Sequence, residues 1–122
     1  FDLAEMKNKV VLVDFWATWC GPCVAELPHV IETYNKYKDK GFEVVGISLD
    51  DNIDTLEAFT QQNKMTWPQY FDGKVWENEI AQRFGIKGIP ATFLVGKDGK
   101  IVASNLRGNA LEEAVVKALA GE

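Results

Sequence analysis

Cysteine and histidine are scarce in this chain of 122 residues, which holds two Cys and one His. A zinc centre takes four ligands, and without a second Cys-x-x-Cys the chain is poorly supplied for a structural site of its own. Nor does it need disulfide staples, because a chain of this length can bury a core unaided. No apolar run approaches the roughly 18 to 20 residues of a membrane span. The strongest one, Val10 to Trp16, is already interrupted by Asp14. Basic charge is also short: 13 Lys and Arg stand against 18 acidic residues, for a net charge of -5, and they are scattered rather than clustered. Phosphate backbones need clustered cations, so no nucleic-acid partner is expected. Repeats, linkers and low-complexity tracts are missing, and a single domain over residues 1–122 is expected. The chain opens at Phe1 with no initiator Met and no signal-like segment, which suggests a processed form or a domain of something longer.

What is present is an ordinary globular composition, 47% hydrophobic and 25% charged. Val10 to Trp16 suits a central strand covered on both faces. A helix should follow from near Cys20 toward Lys38, with Leu27, Val30, Ile31 and Tyr34 on one face and Pro28 kinking it. Gly41 ends that helix, and Phe42 to Leu49 reads as a second strand. Asp50-Asp51-Asn52 supplies capping chemistry for a helix bearing Ile53, Leu56 and Phe59. An extended piece at Pro68 to Phe71 comes next, then a helical face at Val75 to Phe84 through Trp76, Ile80 and Phe84. Thr92 to Val95 and Ile101 to Ala103 read as a hairpin about Asp98-Gly99. The last helix carries Leu111, Ala114, Val115, Ala118 and Leu119 as one stripe, with Asn109 as its expected cap. The order implies an α/β fold in which a parallel and an antiparallel strand pair share one mixed sheet.

The chemistry concentrates at Trp19-Cys20-Gly21-Pro22-Cys23, where a strand runs into Cys-x-x-Cys and then a helix. A sulfur at a helix N-terminus meets unpaired N–H groups and the positive end of the dipole, which favour the thiolate. Cys20 is therefore expected to be the nucleophile, its sulfur exposed, and Cys23, one turn deeper, the resolving thiol. A purely structural disulfide would close too short a loop to stabilise much. Asp14, the only charge in an apolar strand, is expected to have a raised pKa and to exchange protons with Cys23. An edge carboxylate or ion pair is the plainer alternative. Glu26 lies one turn beyond Cys23, where it could oppose thiolate formation, relay a proton, or simply face solvent. His29 reads as a surface or packing residue. Trp16 and Trp19 flank the motif and could shield the thiols or meet a partner, whereas Trp67, Trp76, Phe71 and Phe84 read as core. Ile89-Pro90 precedes a strand and is a candidate cis peptide.

Val11-Leu12-Val13-Asp14-Phe15-Trp16-Ala17 with Trp19-Cys20-Gly21-Pro22-Cys23, and Gly88-Ile89-Pro90-Ala91-Thr92 downstream, resembles the thioredoxin superfamily over essentially the whole chain. The resemblance implies a thioredoxin fold: a mixed central sheet flanked by helices, with a helix-plus-strand insertion between the βαβ half and the C-terminal ββα half. It makes Cys20 the attacking thiol, Cys23 the resolving thiol and Asp14 the buried acid. Pro90 matches the cis-proline beside the dithiol, and Ile89 would offer backbone groups to an extended substrate segment. Trp19, Gly21 and Pro22 would border the same substrate site.

Within the superfamily the chain is more similar to the TlpA and ResA group, through the longer segment from Asp50 to Phe84, Cys20-x-x-Cys23-x-x-Glu26-x-Pro28, and Phe93 to Ile101. Asp14 departs from several members, which have a neutral residue there. The hairpin that normally precedes a segment like Leu3 to Lys9 is expected to be truncated or absent. By resemblance, the protein is a thiol-disulfide oxidoreductase that reduces protein disulfides outside the bacterial cytoplasm. Its partners would be disulfide-containing proteins and an upstream membrane thiol donor. It would be a monomer with no cofactor beyond its own dithiol. A general cytosolic thioredoxin, and a thioredoxin-fold binding domain of a larger protein, are the alternatives. A peroxiredoxin fits less well, since its cysteine lies in a Thr-x-x-Cys setting.

Overall fold

All seven residues of β1, Val10–Trp16, are buried, as a strand of nearly continuous apolar sequence must be if it is covered on both faces. The computed structural model describes residues 6–121; the expectation about an N-terminal hairpin therefore lies largely outside the described residues. Around β1 run α1 (Gly21–Tyr37), β2 (Phe42–Ser48), α2 (Ile53–Gln62), β3 (Gln69–Phe71), α3 (Glu79–Arg83), β4 (Ala91–Val95), β5 (Ile101–Ser104) and α4 (Asn109–Leu119), with 3-10 turns at Lys38–Lys40 and Val75–Glu77. The five strands form one sheet in the order β3-β2-β1-β4-β5. β1 and β2 pair parallel from Val10 with Phe42 to Trp16 with Ser48, and β4 runs antiparallel to β1, with Asp14 opposite Thr92. β3 extends the sheet parallel to β2, and β5 closes the hairpin on β4. This is the mixed α/β sheet of a thioredoxin fold, with α2, β3 and α3 between its two halves.

Side chains alternate along a strand, so Leu12 and Asp14 face one side of the sheet and Val13 and Phe15 the other. On the Asp14 side, α1 and α4 are tied together at Glu112, whose Oε2 accepts from Lys36 Nζ and from Tyr37 Oη, both at 2.7 Å. On the other side Phe84 packs against Phe15 and Phe93, with ring centroids at 5.3 and 5.5 Å. A Cβ at Gly46 on β2 would displace the Gln69 carboxamide, whose Oε1 accepts from Trp16 Nε1 at 3.0 Å. Among the described residues no helix is long and apolar enough to cross a membrane.

Helix α1 continues through Pro28, where the missing N–H leaves the Val24 carbonyl without its usual donor. Several local expectations change. The Val75 to Phe84 stretch is not one helix. Asn78, with φ -46° and ψ 128°, breaks it and caps α3. The helical stripe is therefore cut, and Trp76 and Phe84, expected in the core, are 41% and 38% exposed. Ile53 also faces out, because it is the first residue of α2 beyond the Asn52 cap. Asn109 is not the cap of α4; Gly108 is, at φ 54° and ψ -132°, a conformation that suits glycine. Trp16 is fully buried, so of the two flanking tryptophans only Trp19 can meet a partner.

Candidate active site

The chain leaves β1 at Trp16, turns through Ala17 to Cys20 and enters α1. A hydrogen bond from Cys20 N to Ala17 O at 3.1 Å closes the turn. Cys20 is the N-cap of α1, in extended conformation, and its Sγ accepts the Cys23 N–H at 3.2 Å. Pro22, in the first turn, lacks an N–H that would otherwise need a partner. Cys20 and Cys23 are joined by a disulfide with their Cα atoms 5.2 Å apart. Both are buried, Cys20 at 6% and Cys23 at 3% exposure. The expectation of an exposed Cys20 sulfur is thus corrected: the Ala17–Cys20 turn folds the cap residue in, and the exposed neighbours are Trp19, Gly21 and Pro22.

That turn is held from β2. Thr18 N donates to Asp50 Oδ1 at 3.0 Å and Oδ2 at 3.2 Å, and Thr18 Oγ1 donates to Asp50 Oδ1 at 2.6 Å. Ser48 Oγ donates to Asp50 Oδ2 at 2.7 Å. Asp50 is 2% exposed, so its charge is compensated by these donors rather than by water. Asp50 was read as part of the α2 cap, but Asn52 alone does that work. Its acidity in a capping run disguised it. The clue in sequence is that only Leu49 separates it from the buried strand Phe42–Ser48.

Behind the disulfide lies a cavity of about 10 Å³, lined by Asp14, Cys23, Glu26, Pro90, Thr92 and Arg107 among others, at the threshold of room for one water. Of the expected site residues, Asp14, Cys23, Glu26 and Pro90, from three separate stretches of chain, meet here. The Ile89-Pro90 peptide is cis, and Ile89 and Pro90 are both half-buried. Burial pushes the Asp14 carboxyl up to about 7; the Glu26 charge pushes it the same way and Arg107 opposes. Asp14 is thus a buried acid, not an edge carboxylate. Glu26 does not simply face solvent: its Oε1 accepts the Gly108 N–H at 2.6 Å. It supplies from α1 the acceptor that α4 lacks at its own N-terminus, where unpaired N–H groups favour a carboxylate. His29 is exposed and away from this cavity lining.

The sequence profile of the Redoxin family matches residues 1–119. The chain is 36% identical over 101 residues, 83% of its length, to the thiol-disulfide oxidoreductase ResA of Bacillus thuringiensis subsp. konkukian. It spans 57% of that protein, so about half the length of the curated relatives it matches. The thioredoxin domain of a thiol-disulfide oxidoreductase from Bacteroides vulgatus superposes with a TM-score of 0.85 at 38% identity, over 94% of this chain and 82% of that one. A thiol:disulfide interchange protein from Bacteroides sp. gives a TM-score of 0.84 at 37% identity, over 98% and 78%.

Proposed function

Because this chain belongs to the redoxin family, in the ResA-like branch of the thioredoxin superfamily, we propose that its Cys20–Cys23 dithiol reduces disulfides in partner proteins. One observation carries this reading: a bonded cysteine pair at the N-terminus of α1, backed by a buried carboxyl whose pKa is pushed up to about 7 and which lines one cavity with Cys23.

In the reduced form the Cys20 sulfur keeps the Cys23 N–H and the helix dipole to stabilise its negative charge. The Cys20 thiolate attacks one sulfur of the substrate disulfide; the other leaves as a thiolate and takes a proton. A mixed disulfide now joins Cys20 to the substrate. Cys23 must lose its proton to complete the cycle, and Asp14, ionised around neutral pH, accepts it through the small cavity. The Cys23 thiolate then attacks Cys20 Sγ, forms the Cys20–Cys23 disulfide and releases the second substrate thiolate. Substrate dithiol and enzyme disulfide are the balanced products. Trp19, Gly21, Pro22, Ile89 and Pro90 border the approach, Ile89 with backbone groups for an extended segment. No cofactor beyond the dithiol is required.

Recharging needs an external dithiol, and the resemblance to ResA and its kin supports a membrane thiol donor and a location outside the cytoplasm. The reducing direction is favoured by Gly21-Pro22, the dipeptide of thioredoxin, whose potential is about -270 mV. The test is a redox titration of the Cys20–Cys23 pair followed by Trp fluorescence, together with insulin reduction. A potential near that of thioredoxin, with turnover lost in Cys20→Ser, is expected. In Cys23→Ser the mixed disulfide should accumulate and be visible by mass. A potential well above that of glutathione would reverse the direction, and absence of cycling would leave a binding domain.

A further inference from the structure

We propose that Trp76 is a specificity-determining residue for this chemistry, forming with Trp19 an exposed aromatic face against which an apolar side chain next to the cysteine of a substrate disulfide packs. The inference rests on the oxidoreductase reading above. Trp19 immediately precedes Cys20, and the Trp76 ring lies 6.2 Å from the Trp19 ring at an interplanar angle of 56°. Even so packed, the two remain 52% and 41% exposed. Nothing in the local pattern asks for this, since Trp76 shares a helical stripe with Ile80 that would have taken it into the core.

The backbone holds Trp76 out. Val75, just before it, sits at φ 53°, a left-handed conformation that a β-branched residue adopts only when its surroundings impose it. The surroundings are visible. Asn78 is fully buried, donates from Nδ2 to Ser48 O at 3.3 Å and accepts the Ala81 N–H at 3.0 Å. The Trp76 carbonyl accepts from Gln82 Nε2 at 2.8 Å. Strain and anchoring at a residue presented to solvent mark a functional rather than a packing position. The nearest chemistry is the disulfide, itself buried, and Trp19 is one of the exposed residues, with Gly21 and Pro22, that a partner meets beside Cys20. Two tilted indoles in contact, each with about half its surface free, present an apolar face to whatever flanks the partner's cysteine, and removing that surface from water favours an apolar flank.

The test uses two disulfide-linked peptide dimers, identical except for Leu or Ser beside each cysteine, with hydroxyethyl disulfide as a substrate that carries no flanking side chain. In the wild-type protein, kcat/KM should favour the Leu peptide by about tenfold, a preference that falls to about twofold in Trp76→Ala and returns largely in Trp76→Phe. Hydroxyethyl disulfide turnover and the reduction potential should stay within about twofold and unshifted, respectively. Equal use of both peptides by the wild type overturns the proposal. So does a Trp76→Ala variant that slows all three substrates alike or shifts the potential, because Trp76 then acts on the dithiol itself. Trp76→Gln, suited to an exposed turn, is the second variant should Trp76→Ala not fold, and retention of the preference there also overturns the assignment. If the wild type reduces none of the three disulfides, it is the oxidoreductase reading that has failed.

Discussion

Replacing Asp14 by Asn should stabilise the protein at pH 8 and slow it at the same time. Asp14 is 5% exposed, and burial raises its pKa from an ordinary 3.8 to about 7, helped by Glu26 and opposed by Arg107. Between those two values the folded chain holds a proton that the unfolded chain has released. Stability contributed by the neutral carboxyl is therefore complete below about pH 4, falls as pH rises toward 7, and levels off above it. The gap of about three pH units at about 1.4 kcal/mol each amounts to about 4 kcal/mol. Asn keeps the shape and cannot ionise. Urea unfolding of the oxidised wild type and Asp14→Asn from pH 4 to pH 8 isolates Asp14 together with its coupling to Glu26, because carboxylates that do not interact with Asp14 cancel in the difference. The stability difference should grow with pH in favour of the variant by up to about 4 kcal/mol. Turnover of a protein disulfide at neutral pH should meanwhile fall by about 100-fold, as for a lost general base. A stability difference that does not change with pH, or a variant less stable at pH 8, would refute the claim that burial holds the proton on Asp14.

Glu26→Gln removes the charge that pushes the Asp14 pKa up while keeping an oxygen for the Gly108 N–H. An NMR titration of the Asp14 carboxyl should show its pKa lowered, and an unchanged or higher value would sink the electrostatic coupling. Asp50→Ala leaves Thr18 N–H, Thr18 Oγ1 and Ser48 Oγ without their acceptor and should cost about 3 kcal/mol in urea unfolding, more than Asp50→Asn. A loss under about 1 kcal/mol would mean that the turn before Cys20 is held by something else.

What was legible in the sequence was whatever spacing alone dictates. The β1 strand follows from its nearly continuous apolar run, the helix after Cys20 and the stripe of α4 from a period of 3.6, and they stand where expected. The Cys pair, Asp14 and Ile89-Pro90 could be picked out because each is chemically out of place in its segment. Features set by contacts between distant segments were not legible. Asp50 looked like a helix cap because its real partners, Thr18 and Ser48, sit on a turn and a strand whose nearness depends on the finished sheet. Glu26 could not be matched to Gly108, 82 residues away. Trp76 was assigned to the core because one buried Asn that breaks a helix is invisible to a hydrophobic count.

Burial of β1 serves two ends that pull against each other. The same buried surroundings that press Cys20 and Cys23 into the core and give Asp14 its proton affinity also penalise the protein whenever Asp14 ionises, as the proposed resolution step demands near neutral pH. The penalty is confined to a site whose frame is fixed from several sides: Asp50 holds the turn ahead of Cys20, Glu26 ties α1 to α4, and Glu112 joins them again at the far end. The proposed transfer of a proton from Cys23 to Asp14 would cross a cavity of about 10 Å³ that both residues line. The same frame leaves the aromatic rim of Trp19 and Trp76 as the part of the site open to adapt to a partner. Substitutions at the rim should therefore alter substrate choice, and substitutions in the frame should alter stability and potential together.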